Sequence, residues 1–582
     1  MTANDVTAAI IPAPVRVERG AGAADLRRAR VVAPGLEDLP ALAAELLRPA
    51  GVAFPAAGSA APGTPIELRA DAAAGPPSSA NPERYTLTVT GDGVTVRAPG
   101  RAGLLHGLRT LRQLAGAAQA AGRPGEIPAL TVTDEPRYGW RGLSLDVARH
   151  FFGPADLRAV VDLLGHYKFN RLGLHLTDDQ GWRLEIPSRP ELVARSSGTA
   201  VGGDPGGYLS VTDYAELQEY AAARGVVVVP EIDLPGHVNA ATHAYGELNP
   251  GGLPTEAYEG IEVGFSRLHL GLPATEPFLR DVLGDVARMT RGPWVHFGGD
   301  EVHTMPPGEY REFVRLCQEI VGAAGKTPAA WQEAAGAGHG DTDAAATAMA
   351  ATGGPGGPGT TAGTTPGAAA AGSGGAAGAA AHARSGGAAA AQAAAAGSGG
   401  TVTAQAAPGG STTTAAAPRS AGVLEQDPAA SPVRAGTVLH YWDSRAGSAA
   451  FVRAAEAGGR FVMAPAERTY LDMKYTPDHP LGLVWAGCVE LRDSYEWDPA
   501  AVVGGLPAEA IDGVSACVWT ETLRTRDELF SMLLPRLAAV AECAWTPQEH
   551  KDWESFRARV ATEAVTWRRD GSAFHPTPQV DW

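Results

Sequence analysis

From Tyr138 onward the chain alternates short β-rich runs with amphipathic helical segments, and few folds accept that order. The runs are GLSLDVAR (142–149), RLGLHLTD (171–178), VVVVPEID (226–233), WVHFGGDE (294–301), PAAWQE (328–333), TVLHYW (437–442), RFVMAP (460–465) and VSACVWTE (514–521). Between them apolar residues recur at helical spacing, as in Leu157/Val160/Val161/Leu164, and further helices are expected near Tyr214 to Arg224, Phe313 to Val321 and Leu529 to Val540. Eight parallel strands suffice to close a (β/α)8 barrel. Asp146, Arg149, Asp178, Asp233, His237, Asp300, Glu301, Trp331, Trp442, Trp519 and Glu521 all sit at or just past the carboxyl ends of these runs. In a barrel those ends share the face that carries the active site. A doubly wound open sheet is the alternative, but no GxGxxG or Walker loop follows the first run.

Residues 1–135 read as a separate α+β domain and 136–582 as the barrel. In YTLTVTGDGVTV (85–96) apolar residues alternate on both sides of a Gly-Asp-Gly turn, which makes a hairpin, and Leu104, Leu105, Leu108 and Leu111 then mark a helix packing one stripe on a sheet. Inside the barrel, 335–433 turns to Ala, Gly, Thr, Ser and Pro. Such a segment buries too little apolar area to offset its ordering entropy, so a disordered insertion between the fifth and sixth strands is expected, with a lid as the second reading. Because loop closure costs grow only with the logarithm of length, it is expected to be dispensable for catalysis.

The net charge of −17 opposes polyanion binding, so no nucleic-acid partner is expected. No segment approaches the length of a membrane span, and the amino terminus lacks a basic and apolar export signal, so the expected location is cytoplasmic, or secreted if the true start lies upstream. Cys317, Cys488, Cys517 and Cys543 are far apart without CxxC spacing and are expected to be reduced packing residues. Nothing in the sequence sets an oligomeric state.

The chemistry centres on HFGGDEVH (296–303), where two glycines precede adjacent carboxylates so that backbone can approach a ligand. Asp300 and Glu301 could equally cap a following helix. Around them lie candidate aromatic platforms, Trp182, Trp331, Trp442, Trp485 and Trp519, and the charged groups Arg149, Asp178, Asp472 and Glu521. A sugar ring uses both: aromatic faces cover its C–H surface, and charges engage its hydroxyls. His237 and Asp233 have no HxxxH or HxxE partner, so neither a metal nor any other cofactor is expected. Asp146 suggests polar packing only.

DVARHFF, HLTDDQGWRLEI, VVPEIDLPGHVNAA, HFGGDEVH, YLDMKY and VWTETL, spread over about 138–335 and 436–546, resemble the motifs of family-20 glycoside hydrolases, the β-N-acetylhexosaminidases. The preceding α+β domain resembles that family's non-catalytic domain. The resemblance implies exo-acting, retaining removal of terminal β-linked N-acetylhexosamine, as in chitin degradation, with a small glycan as partner. It also implies substrate-assisted catalysis through an oxazolinium, an exception to the two-carboxylate scheme.

The same resemblance implies that Glu301 protonates the glycosidic oxygen, Asp300 orients the acetamido group, and Tyr470 binds its carbonyl. Trp331, Trp442 and Trp519 would wall the acetamido pocket, Arg149, Asp472 and Glu521 would bind hydroxyls, and Trp485 would stack on the leaving sugar. Asp178 and His237 would support the carboxylate pair, with Glu301 protonated near neutrality and Asp300 acting through its charge. A biosidase, another barrel glycosidase and a non-catalytic glycan-binding protein are the alternatives.

Overall fold

The computed structural model describes residues 9–55, 63–336 and 431–582. The first domain is a six-stranded sheet of β1 (Arg16–Asp25), β2 (Ala29–Val32), β3 (Thr64–Ala70), β4 (Tyr85–Thr90), β5 (Gly93–Ala98) and β6 (Glu126–Asp134), in spatial order β1-β6-β4-β5-β3-β2. The expected hairpin is β4–β5, antiparallel from Thr86↔Arg97 to Thr90↔Gly93. The expected helix spans Arg101–Ala120 and buries Leu104, Leu105, Leu108 and Leu111.

The barrel strands are β7 (Trp140–Asp146), β8 (Arg171–His175), β11 (Val227–Glu231), β12 (Trp294–His296), β13 (Thr327–Trp331), β14 (Val438–Tyr441), β15 (Arg460–Met463) and β16 (Ile511–Val518). A two-residue ladder, β9 (Thr177–Asp178) with β10 (Gly181–Trp182), stands on the rim. The eight close in the order β11-β12-β13-β14-β15-β16-β7-β8, all parallel. Register places Asp146, His175, Glu231 and His296 side by side across four neighbouring strands. In-register residues of parallel neighbours point the same way, so four polar side chains form one row at the strand ends.

Buried charges fasten the two domains together. Lys168, fully buried, reaches Asp134 at 3.2 Å and lies 4.5 Å from the Trp545 ring, while Glu83 of the first domain pairs with His106 at 2.8 Å and with Arg141 of β7. Removing one partner of such a pair leaves a buried charge uncompensated, at a cost of about 3–5 kcal/mol.

Three expectations need correction. The helix near Leu529 to Val540 is two, Arg526–Leu533 and Arg536–Trp545, because Pro535 lacks the N–H a continuous helix needs. Cys317, Cys517 and Cys543 are buried, but Cys488 is exposed and packs no core; all four are free thiols. Finally, Ala335 and Val433, placed in the insertion from composition, are buried in the barrel's main core, where the adjoining Pro432 carbonyl accepts from Gln318 at 3.0 Å. The remainder of the insertion, 337–430, lies outside the described residues.

Candidate active site

The first four barrel strands deliver charge. Asp178 is buried at the hub: its Oδ2 lies 2.8 Å from Arg149 and 2.9 Å from His175 Nε2, and its Oδ1 lies 3.3 Å from His237 Nδ1. Burial works against this carboxylate's charge, but Arg149 and His237 outweigh it and hold its pKa well below the ordinary value. Asp146 accepts from the Ala148 and Arg149 backbone at 2.7 and 3.1 Å and from Thr520 N–H at 3.0 Å. It thereby ties the first and last strand ends together behind Arg149, so its polar packing has a definite purpose.

Glu301 sits beyond β12 with Oε2 3.3 Å from His237 Nε2, a contact too oblique for a full hydrogen bond. Both residues have left-handed backbone, φ +50 for Glu301 and +53 for His237. Such conformations cost about 1–3 kcal/mol each in a non-glycine residue and persist where the surroundings impose them. The helix-cap alternative fails, because the next helix starts only at Pro307.

The two glycines have a different partner from the one expected. A Cβ on Gly298 would lie 1.7 Å from Asp233 Oδ1, and Gly299 N–H donates to that same oxygen at 3.3 Å. It is therefore Asp233, not a ligand, that the bare backbone admits.

The two neighbouring carboxyls titrate apart, but in the reverse of the expected order. Burial, aided by the Glu301 and Glu231 charges, pushes Asp300 up to about 6 despite His237 nearby. Burial and Asp300 together also raise Asp233 well above the usual range. Glu301 is lowered instead, because the His237 imidazolium outweighs its desolvation. In the ligand-free protein the surroundings thus favour a proton on Asp233 and Asp300 over one on Glu301.

The last four strands deliver aromatic surface. Trp331 ends β13, Trp442 follows β14, Tyr470 and Trp485 follow β15, and Trp519 follows β16. All five belong to one apolar cluster distinct from the barrel core. Trp442 and Tyr470 lie nearly parallel at 6.4 Å, Tyr470 and Trp485 meet edge-on at 5.6 Å, and Trp331 and Trp519 are 5.8 Å apart. Trp331 is buried as a floor, while Trp442, Trp485 and Trp519 are half-buried and keep ring surface open. At the rim, burial and Glu521 raise Asp472 well above its ordinary pKa, and Glu521 is pushed up to about 7. Both Asp472 oxygens are buried without a hydrogen-bond partner among the described residues.

Trp182 does not join this box. It is 1% exposed, donates to the Leu184 carbonyl at 2.8 Å and packs edge-on against Phe278 in the main core. Conversely, sequence reasoning passed over Glu333, which accepts the Trp442 indole N–H at 3.2 Å, and His175 and Glu231 beneath the rim. Their only signal was position, two or three residues from Trp331, Asp178 and Asp233 in PAAWQE, HLTDD and PEID. The fold also gathers donor sets that spacing did not show: His175/Glu231/Asp233, Asp178/Asp179/His237 and Asp233/His237/Asp300, with ligand atoms within 4.8 Å of one another in each. Arg149, Trp331, Ser266 and the Asn239 backbone already engage many of these oxygens.

A closed (β/α)8 barrel that sets a carboxylate pair against a box of tryptophans at its strand ends defines a carbohydrate-cleaving barrel enzyme. The chain belongs to glycosyl hydrolase family 20: that family's catalytic domain matches residues 138–352 and 422–548, and its domain 2 matches residues 7–135. A β-N-acetylhexosaminidase of Cellulomonas fimi is 42% identical over 99% of this chain and 97% of its own length. The Streptomyces plicatus N-acetyl-β-hexosaminidase in complex with Thio-NAglucal superimposes with a TM-score of 0.76 at 35% identity, covering 99% of this chain and 98% of that one. A mutant of the same Streptomyces enzyme, bound to the product GlcNAc, aligns equally well.

Proposed function

We propose that this glycoside hydrolase removes terminal, non-reducing β-linked N-acetylhexosamine, using the substrate's own acetamido carbonyl as nucleophile. The observation that carries the reading is Asp300 Oδ1, a buried carboxylate oxygen that, among the described residues, has the carboxyl of Asp233 nearby but no hydrogen-bond donor. Burial raises the Tyr470 hydroxyl well above its ordinary pKa, and the charge of nearby Asp300 adds to this. An acetamido group in the box would place its methyl against tryptophan, donate its N–H to Asp300 and accept from the Tyr470 hydroxyl. Its carbonyl oxygen is then aimed at the anomeric carbon.

Binding also reverses the proton preference of the ligand-free protein. An N–H donated to Asp300 favours its carboxylate form, while a sugar seated over Glu301 removes the water that favours that residue's charge. The proton moves to the Glu301 side, where it is needed. Glu301 donates it to the glycosidic oxygen as the carbonyl oxygen bonds to the anomeric carbon and the leaving group departs, giving an oxazolinium. Glu301 then takes a proton from the water that opens this intermediate, so configuration is retained. Asp178 and His237 hold Glu301, Arg149, Asp472 and Glu521 receive the ring hydroxyls, and Trp485 stacks on the leaving sugar. Short chito-oligosaccharides are the substrates a cytoplasmic enzyme would meet; fractionating the native host tests the location.

The test compares hydrolysis of an aryl N-acetyl-β-glucosaminide, the matching glucosaminide and the glucoside by wild type, Glu301→Gln and Asp300→Asn. The expected result is cleavage of the acetamido sugar alone, with losses of about 10²–10⁴-fold in each variant. Equal cleavage of the glucoside overturns the mechanism, and an inert wild type leaves only glycan binding.

A further inference from the structure

Beneath the rim, Glu231 touches both halves of the site. Its Oε1 accepts the indole N–H of Trp331 at 2.7 Å and lies 3.1 Å from His175 Nδ1, an ion-pair contact. From His175 the contacts continue to Asp178 at 2.9 Å, from Asp178 to His237 at 3.3 Å, and from His237 to Glu301 at 3.3 Å. A continuous polar path therefore joins the floor of the aromatic box to the acid that faces the leaving group.

We propose that Glu231 and His175 are positioning residues that make the proton affinity of Glu301 respond to occupation of the pocket floored by Trp331. This rests on the function proposed above and extends it. Along the path acids and imidazoles alternate: Glu231, His175, Asp178, His237, Glu301. Burial works against the His175 charge, but Glu231 and Asp178 together outweigh it and raise its pKa well above the ordinary value, which favours the imidazolium. Also facing this pair are Asp146 at the end of β7 and Arg149 beyond it, Asp233 after β11, His296 on β12 at 3.5 Å from Glu231, and His440 on β14 against His296.

Burial depresses the pKa of both His296 and His440, so neither can replace His175 as the charged link. In an interior of low effective dielectric, a change at one end of an alternating row is felt at the other. Pressure of a bound acetamido methyl on the Trp331 ring changes how well its N–H satisfies Glu231, and thereby how firmly His175, Asp178 and His237 hold Glu301.

Neutralising Glu231 either leaves His175 as an excess positive charge or lets it deprotonate, which frees Asp178 to bind His237 more tightly. Both outcomes weaken Glu301's hold on its proton, so the basic limb of activity moves to lower pH.

The test uses full-length wild type, Glu231→Gln, Trp331→Phe and the double variant. Each is assayed across pH on aryl N-acetyl-β-glucosaminides whose leaving phenols range from strongly to weakly acidic. Glu231→Gln should lose ~10-fold or more in kcat/KM with the weakly acidic phenol, which needs the acid, and under ~2-fold with the strongly acidic one. Its basic limb should shift downward. Trp331→Phe keeps an aromatic floor but removes the N–H together with the pyrrole half of the indole. The lost floor acts on both phenols alike, so an added loss on the weakly acidic phenol is the readout, and in that leaving-group dependence the double variant should be no worse than the worse single. Equal losses for both phenols, or losses that add in the double variant, would overturn the proposal and leave Glu231 a packing residue. Should Glu231→Gln not fold, the leaving-group dependence of Trp331→Phe decides alone. A wild type inert on every acetamido substrate would instead sink the underlying function.

Discussion

The two halves of the barrel rim are built on opposite principles. Strands β7, β8, β11 and β12 present Asp146, Arg149, His175, Asp178, Glu231, Asp233, His237, Asp300 and Glu301, a lattice of charges held by one another. Strands β13 to β16 present Trp331, Trp442, Tyr470, Trp485 and Trp519, whose packing is mostly apolar. The charged half has little tolerance, because each buried ion depends on its partners. The aromatic half can lose a wall and keep its shape. The acid and the ion network that holds it are thus concentrated on one side of the ring and the aromatic walls on the other, although Arg149 also meets ring hydroxyls and the carboxyls of Glu333, Asp472 and Glu521 stand among the aromatics; Glu231 bridges the two sides through the Trp331 indole.

The largest effect expected from breaking this contrast is at Asp178. Asp178→Asn leaves Arg149, His175 and His237 facing a neutral amide, and removal of one partner from a buried ion network costs about 3–5 kcal/mol. Thermal or denaturant unfolding should show that loss. At a temperature where the variant remains folded, kcat should fall by about 10²-fold or more, since the residue that holds Glu301 has lost its own anchor. Wild-type stability would show the network to be far less interdependent than its distances imply.

Trp442→Ala tests the other half and should be milder. It removes one half-buried wall and the indole N–H that Glu333 accepts, so KM for the acetamido substrate should rise about tenfold, equivalent to about 1.4 kcal/mol, with a smaller change in kcat. Loss mainly in kcat would mean that the wall positions the nucleophilic carbonyl rather than simply holding the sugar.

A smaller effect, of opposite sign, is expected at Asp300. Its folded pKa is raised to about 6 from an ordinary 3.8, so its charge opposes folding; the penalty is absent below about pH 4 and complete above about pH 6. Asp300→Asn should therefore melt a few degrees above wild type at pH 8 and show no gain at pH 4, although it is nearly inactive. A gain independent of pH would point to relief of packing rather than of charge.

This division also explains what the sequence made legible. Eight β-rich runs and the residues at their ends announced the barrel and most of the rim, because parallel strands carry their carboxyl ends to one face whatever the loops do. Trp182 was misplaced because a tryptophan two residues inside a rim ladder has the same local pattern whether it faces the site or the core. The proton order at Asp300 and Glu301 was also hidden. It depends on Asp233 lying against Gly298 and on His237 reaching Glu301, two contacts between loops far apart in the chain. His175 and Glu231 stayed unremarked because only the register of β8 against β11 brings them together.

The smallest effect is expected where the aromatic half is interrupted, between β13 and β14. The described ends of that interruption meet: Ser431 Oγ donates to the Ala335 carbonyl at 3.4 Å, and a Cβ built on Gly336, whose φ is +83, would lie 3.3 Å from Pro432 Cδ. The chain leaves and re-enters the barrel at one point, so a short linker from Gly336 to Ser431 spans the junction without moving Trp331 or Trp442. Shortening a long loop recovers only a little closure entropy, about 0.6 kcal/mol per halving of its length. Replacing 337–430 by such a linker should therefore leave kcat/KM on a monosaccharide aryl substrate within about twofold and raise the melting temperature slightly. A folded deletion variant that had lost most of its activity would show that the aromatic half draws on residues beyond its own strands. The contrast between a charged half and a self-sufficient apolar half would then fail on the apolar side.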